Sequence, residues 1–276
     1  MSALATIARS AAPWSPQGEA ADALARLGLP NRRTEAWKWS DLNAALADDR
    51  LMREFDQSYG HIRALEPYVP EFETERNVIG LLALALSADL TGGWENGRGS
   101  RGQGGTLSTI EARSNFVVIE DVDAHGGLGA HFLEARVQEG AGLTRCVIQR
   151  GDGVALSSAL VVVEEGATFR QFILAEGANL ARIETHVEIE GQSAEVELHG
   201  VYLCDEGRHA DLTSVVTHKA ADGNTKQLIK GVARKGGRGV FQGKIVVERG
   251  AQKTDARQYH HGMLLEDGAE IFAKPE

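Results

Sequence analysis

Hydrophobic positions change their spacing once along this chain, and the change divides it. In the first third they recur at helical intervals. Across Glu19–Leu27, EAADALARL, residues Ala20, Ala23, Leu24 and Leu27 fall on one stripe. Gly28 supplies a C-terminal stop, and Pro30 bars continuation. In the following LPNRRTEAWKWSDL, Thr34 or Asn31 can cap a short helical turn with Glu35 at its positive end. Ser40 or Asp41 can then cap a helix over 42–55, with Leu42, Leu46, Leu51 and Phe55 on its apolar face. Residues 59–75 are mixed, and Pro67 and Pro70 break their regularity.

From Val78 the texture changes. VIGLLALALSADL is apolar, and a Gly-rich loop follows at Gly92–Gly105. The chain then proceeds in short β-like runs: Phe116–Glu120, Val147–Gln149, Leu160–Glu164, Phe169–Leu174, Ile183–Ile189, Ala194–Leu198, Val215–His218, Leu228–Val232 and Ile245–Val247. One turn formula recurs between them. It reads Glu139-Gly140-Ala141, Glu165-Gly166-Ala167, Glu176-Gly177-Ala178 and Asp267-Gly268-Ala269, with variants at Glu190-Gly191 and Arg249-Gly250-Ala251. No helical pattern separates the runs, which excludes a doubly wound α/β sheet. Irregular turn spacing excludes a strict hexapeptide solenoid. The pattern predicts a mainly β protein: a loose parallel β-helix over 78–276, preceded by a small helical region over 1–77. Its inward Val, Ile, Leu and Ala would stack in columns, each coil burying its apolar face against its neighbours.

One stretch resists this scheme. In Gly243–Glu276 the apolar runs Ile245–Val247 and Met263–Leu265 flank the polar AQKTDARQ. Continued as a strand, it would put Gln252, Thr254, Ala256 and Gln258 on one face, and Ala251, Lys253, Asp255 and Arg257 on the other. A strand this polar must lie on an edge, pair with another chain, or carry chemistry.

Composition narrows the function classes. With 276 residues, of which 42% are hydrophobic, the chain can build a real core. Thirty-two glycines against six prolines fit tight turns rather than Pro-rich linkers. A formal charge of −10 argues against non-specific nucleic-acid binding and against an anionic membrane surface. Cys146 and Cys204 form no disulfide framework or CxxC pattern and read as reduced thiols. The N-terminus has no apolar run of the secretory type, although Arg9 among small residues leaves a transit peptide as an alternative, and Val78–Leu86 is too short to span a bilayer, so a cytoplasmic location is expected.

Candidate chemistry is sparse. Gly97-Arg-Gly99-Ser-Arg-Gly102 satisfies G-x-G-x-x-G, but no helix follows to receive a pyrophosphate. No P-loop and no G-x-S-x-G elbow occurs. His260 and His261 are adjacent and would face opposite ways on a strand. Cys204 with His209 is the one weak metal pair, two ligands being too few for a structural zinc site.

Two stretches carry a resemblance. GVARKGGRGVFQGKIVVERGAQKTDA at 231–256 and LPNRRTEAWKWSDL at 29–42 resemble the SufB/SufD family, scaffold components of the SUF iron–sulfur cluster assembly system. The stretch at 29–42 is similar to the SufD type. The resemblance implies a right-handed parallel β-helix between helical regions. It also implies a complex with a SufB-like subunit and a SufC-like ATPase, with a homodimer as another possibility. The chain would then be a non-catalytic scaffold subunit without a stably bound cofactor, meeting iron or an iron–sulfur cluster transiently at an interface. Gln252, Thr254, Asp255 and Gln258 become candidates for cross-coil or cross-subunit hydrogen bonds, with plain intra-coil ladder residues as the alternative. The family pattern continues past Lys274-Pro275-Glu276 with a Cys-Ser-His or similar triplet and ATPase-holding helices, which have no counterpart in this sequence. The expectation is a chain truncated at its C-terminus, less soluble than a longer homologue and weak in ATPase binding. The rivals are a β-helix enzyme acting on acidic carbohydrate, against which the 6% aromatic content argues, and a stand-alone protein-interaction module.

Overall fold

The computed structural model describes residues 16–47, Ile79, Leu82, Ala83, 104–124 and 126–276. Helix α1 spans Pro16–Leu27, a 3-10 turn spans Glu35–Trp37, and a short helix α2 spans Leu42–Ala45. Thirteen strands follow: β1 (Gly104–Ala112), β2 (Asn115–Asp123), β3 (Leu128–Val137), β4 (Gly142–Arg150), β5 (Val154–Val163), β6 (Thr168–Ala175), β7 (Leu180–Ile189), β8 (Glu195–Cys204), β9 (His209–His218), β10 (Asn224–Ala233), β11 (Arg238–Val247), β12 (Asp255–Leu264) and β13 (Glu270–Pro275). Odd strands form one seven-stranded sheet in sequence order, and even strands form a six-stranded one. Each strand pairs in parallel with the strand two further on, for example β5 with β7 and β8 with β10. The chain is therefore a parallel β-solenoid, as its sequence pattern predicts.

Alternation builds the even sheet. In β4 the inward residues Leu143, Arg145, Val147 and Gln149 are buried while Thr144, Cys146 and Ile148 remain partly exposed. The turns have a repeating cause. Gly140 and Gly166 adopt φ of +65° and +59°, the left-handed region that glycine enters without a Cβ clash. Their N–H groups donate to Glu165 O and Gln192 O of the next turn, both at 2.9 Å. Ser193 and Asp222 take the same position in the next two turns and donate to Ala221 O and Gln252 O. Hydrogen bonding thus runs from coil to coil through the corners as well as the strands. The alanine that follows, as at Ala141, Ala167 and Ala194, is buried.

The odd sheet is different because its outward face is partly covered. Leu24, Trp37, Leu42, Leu46, Ile79 and Leu82 pack against outward residues including Leu128, Ala130, Phe132, Leu156 and Leu180. The first six residues of β3 and of β5 are consequently buried on both faces. In α1, Ala20, Ala23 and Leu24 are buried as the helical stripe requires, whereas Leu27 is exposed. Gly28, with φ +76°, ends the helix by donating to Leu24 O at 2.8 Å. Asp41, not Ser40, caps α2 by accepting from Ala44 N at 2.9 Å. The described residues of the Val78 run, Ile79, Leu82 and Ala83, are helical, and strands begin at Gly104. Residues 92–103 of the Gly-rich loop, with the G-x-G-x-x-G match, lie outside the described residues.

In the last coils the lumen is packed with aromatic rings. Tyr202 of β8 is fully buried, and a methyl group at Gly231 of β10 or Gly239 of β11 would overlap its ring. Its hydroxyl pairs with His260 Nε2 at 2.9 Å, and His260 stacks on Phe241 with centroids 5.3 Å apart. The first and last glycines of GVARKGGRG are thus spaces for this aromatic group. Gly239→Ala should destabilise the chain by ~1–3 kcal/mol through overpacking. Adding Tyr202→Leu should recover part of that loss in a urea-unfolding double-mutant cycle. Equal losses from Gly239→Ala in the wild-type and Tyr202→Leu backgrounds would break the link.

Candidate functional site

Two buried arginines organise the charged groups of the solenoid. Arg145 points into the lumen from β4, between Leu143 and Val147. Its guanidinium donates to Glu120 Oε1 at 2.7 Å and Oε2 at 3.0 Å, to Ser157 Oγ at 2.6 Å and to Gln171 Oε1 at 2.8 Å. Thr185 Oγ1 also donates to Gln171 Oε1, at 3.0 Å. One side chain therefore ties β2, β4, β5, β6 and β7 across both sheets. Burial alone would raise the Glu120 carboxyl, but Arg145 outweighs it and holds the group below its ordinary value. His131, inward on β3, is pushed down by burial although the Glu120 carboxylate opposes the shift. A fork of donors filled this completely is a structural brace.

Arg182 faces outward from β7, yet it is fully buried because the N-terminal segment lies over it. It donates to Glu184 Oε1 and Asp211 Oδ2, both at 2.5 Å, and to Ala36 O at 2.7 Å. The Trp37 ring covers its guanidinium, 4.0 Å from ring centroid to the central carbon. Ser40 Oγ donates to Asp211 Oδ2 and lies 3.3 Å from His209 Nε2. Gln242 Nε2 reaches Ala36 O at 3.3 Å, Lys274 pairs with Glu35 at 2.8 Å, and Trp39 stacks on Phe272 with centroids 6.2 Å apart. The TEAWKWS stretch is thus a strap across β7, β9, β11 and β13. Burial raises the Glu184 carboxyl, but Arg182 and then His186 win and leave it at about 2. Burial pushes His209 down to about 4 against the Asp211 carboxylate.

The sequence-predicted candidates are not gathered into one site. Cys204 points inward at the end of β8, where burial pushes its thiol up to about 12. His209 points outward beneath Ser40, so the pair is split across the sheet. No group of three His, Cys, Asp or Glu side chains able to hold a metal occurs among the described residues. AQKTDARQ is not one strand, because Gln252 and Lys253 form a corner and β12 starts at Asp255. Gln252 Nε2 donates to Arg249 O at 2.7 Å and Thr254 Oγ1 to Ala251 O at 3.0 Å. Asp255 pairs with Arg257 outward, and Gln258 turns inward to donate to Gly243 O at 3.2 Å. These four bonds are made within and between coils of this chain. No helix among the described residues is long and apolar enough to cross a membrane.

The arginine clusters escape a motif search. Their signal is positional: Arg145 sits at an inward place in an alternating run, LTRCV, where a charge must find a partner. Ser40 and Trp37 belong to the WKWSDL stretch, but Ser40 meets Asp211, 171 residues away, and Trp37 meets Arg182 of β7.

Comparison with known proteins gives a family match. The family model described as the SUF system FeS cluster assembly SufBD core domain matches residues 95–276. An iron–sulfur cluster assembly SufBD family protein of Mycobacterium bovis is 27% identical over 188 residues, covering 65% of this chain and 47% of that protein. The chloroplastic protein ABCI7 of Arabidopsis thaliana is 30% identical over 146 residues, 52% of this chain and 31% of its own length. The iron–sulfur cluster assembly protein SufD of Escherichia coli is 27% identical over 117 residues, 42% of this chain and 27% of its own length. The chain spans about half the length of the mycobacterial relative.

The brace under the strap makes two predictions. Arg182→Met leaves two buried carboxylates uncompensated and should cost ~3–5 kcal/mol in denaturant unfolding, and adding Glu184→Gln and Asp211→Asn should return part of it. The other concerns pH. Folded His209 stays neutral down to about 4, while the unfolded chain titrates it near its ordinary 6.5. Between those values the unfolded state binds more protons, so stability should fall by ~1–3 kcal/mol as pH drops through that window. Glu184, held at about 2 against an ordinary 4.5, adds a further loss below about pH 4.5. His209→Gln should flatten the first slope and keep the second when unfolding free energy is followed against pH.

Proposed function

Because the chain belongs to the SufBD family of the SUF iron–sulfur cluster assembly system, we propose that it is a non-catalytic scaffold subunit in cluster assembly. It pairs with a SufB-like subunit and a SufC-like ATPase in the cytoplasm. The observation that carries this reading is one of extent. The family match over residues 95–276 coincides with the whole described solenoid, from Gly104 to Pro275. What matches is therefore a continuous framework rather than a local motif.

The chemistry of the interior supports a supporting role. Both buried arginines are spent on carboxylates, hydroxyls and carbonyls of the frame itself. Cys204 is held as a thiol, a poor nucleophile and a poor metal ligand in that form. Iron or a cluster is then cargo, met at an interface with a partner.

Purification of the protein in its native complex from its own cell tests the reading. Native mass spectrometry should find a SufB-like chain and an ABC-type ATPase at fixed stoichiometry with it. Recovery without either partner, or turnover of an acidic polysaccharide by the purified chain, would overturn the proposal.

A further inference from the structure

The two outward faces of the solenoid are treated unequally. On the odd sheet the strap and α1 cover the apolar positions. On the even sheet one register column runs Ile119, Cys146, Phe172, His199, Leu228, Tyr259 along all six strands. Ile119, Phe172 and Tyr259 are 45%, 46% and 55% exposed. Cys146, His199 and Leu228 are partly exposed, and the column is apolar on every strand but β8, where His199 stands; a stripe of this kind marks an interaction surface.

Charge says what fits it. The outward cations Arg150, Arg170 and Arg257 of this sheet are paired with Asp121, Glu197 and Asp255. Lys226 and Lys230 have no ion-pair partner among the described residues. They stand on the same face of β10, one on either side of Leu228. Two free ammonium groups flanking an apolar column, on a chain of net charge −10, call for an apolar ridge with carboxylates along its sides. The pitch agrees: strands repeat every ~4.8 Å and helix turns every ~5.4 Å, so a helix lying across the strands offers about one apolar side chain per coil. We propose that this face of the even sheet is a docking surface for an amphipathic helix with acidic flanks, independent of the assembly role.

Cys146 lies in the column and reports on it, while Cys204 is enclosed in the lumen. The probe is a synthetic amphipathic helix of about 16 residues, long enough to cross the strands at 1.5 Å per residue, with leucines on one face and glutamates along both flanks. Bound to the full chain, it should slow alkylation of Cys146 about tenfold at saturation and lose about tenfold in affinity with Lys226→Glu/Lys230→Glu. Both lysines are exposed, so the variant keeps the fold. Phe172→Ser should weaken the peptide as well. The proposal is overturned if a lysine-flanked peptide with the same leucines protects Cys146 equally. It is also overturned if Cys146 of the free chain is already shielded. Shielding that grows with protein concentration would identify a second copy as the occupant, and concentration-independent shielding would identify other residues of the same chain.

Discussion

A parallel coil hands the N–H and C=O groups of each strand to the coils above and below, so a slip of one residue would turn an inward side chain outward. Everything else in this chain answers that constraint. The corner hydrogen bonds from Gly140, Gly166, Ser193 and Asp222 extend the ladder through the turns. Arg145 pins five strands across the lumen at one level. Tyr202 fixes the spacing of the last coils through the glycines that make room for it.

A stack of this kind has a weakness, since each coil is stabilised only by its neighbours. The strap addresses it from outside. Trp37, Ser40 and the carbonyl of Ala36 meet β7, β9 and β11, while Glu35 and Trp39 reach β13. The contacts combine hydrogen bonds and ion pairs with two aromatic contacts, Trp37 on Arg182 and Trp39 on Phe272, and the buried Arg182, Asp211 and Glu184 have a dry site only while the strap is in place. A charge cluster that needs a cover makes docking specific, because no purely apolar segment could satisfy it.

Sequence pattern reveals most of β6 and about half of β2, β8 and β10, where inward and outward positions alternate. Of several odd strands it shows mainly the second half. Leu160–Glu164, Val215–His218 and Ile245–Val247 mark the ends of β5, β9 and β11. The first halves of β3 and β5 lie under the N-terminal cover and bury both faces, so VALSSA has no alternation to read. The turn formula is legible because a left-handed corner residue followed by a buried alanine leaves a local trace. AQKTDARQ misleads because its first half is a corner whose polar side chains serve the backbone, as Gln252 and Thr254 do. Cys204 and His209 are close in sequence yet separated by a reversal of direction that no spacing rule reports.

Strap and solenoid form one cooperative unit, and native-state hydrogen exchange tests this most directly. The amides of Trp37 and Ser40, which donate to Thr34 O and Trp37 O, should open with the same free energy as those of β9 and β11. Fast exchange at Trp37 and Ser40 with full protection retained in β9 and β11 would contradict that unity, since the charge cluster would then persist without its cover.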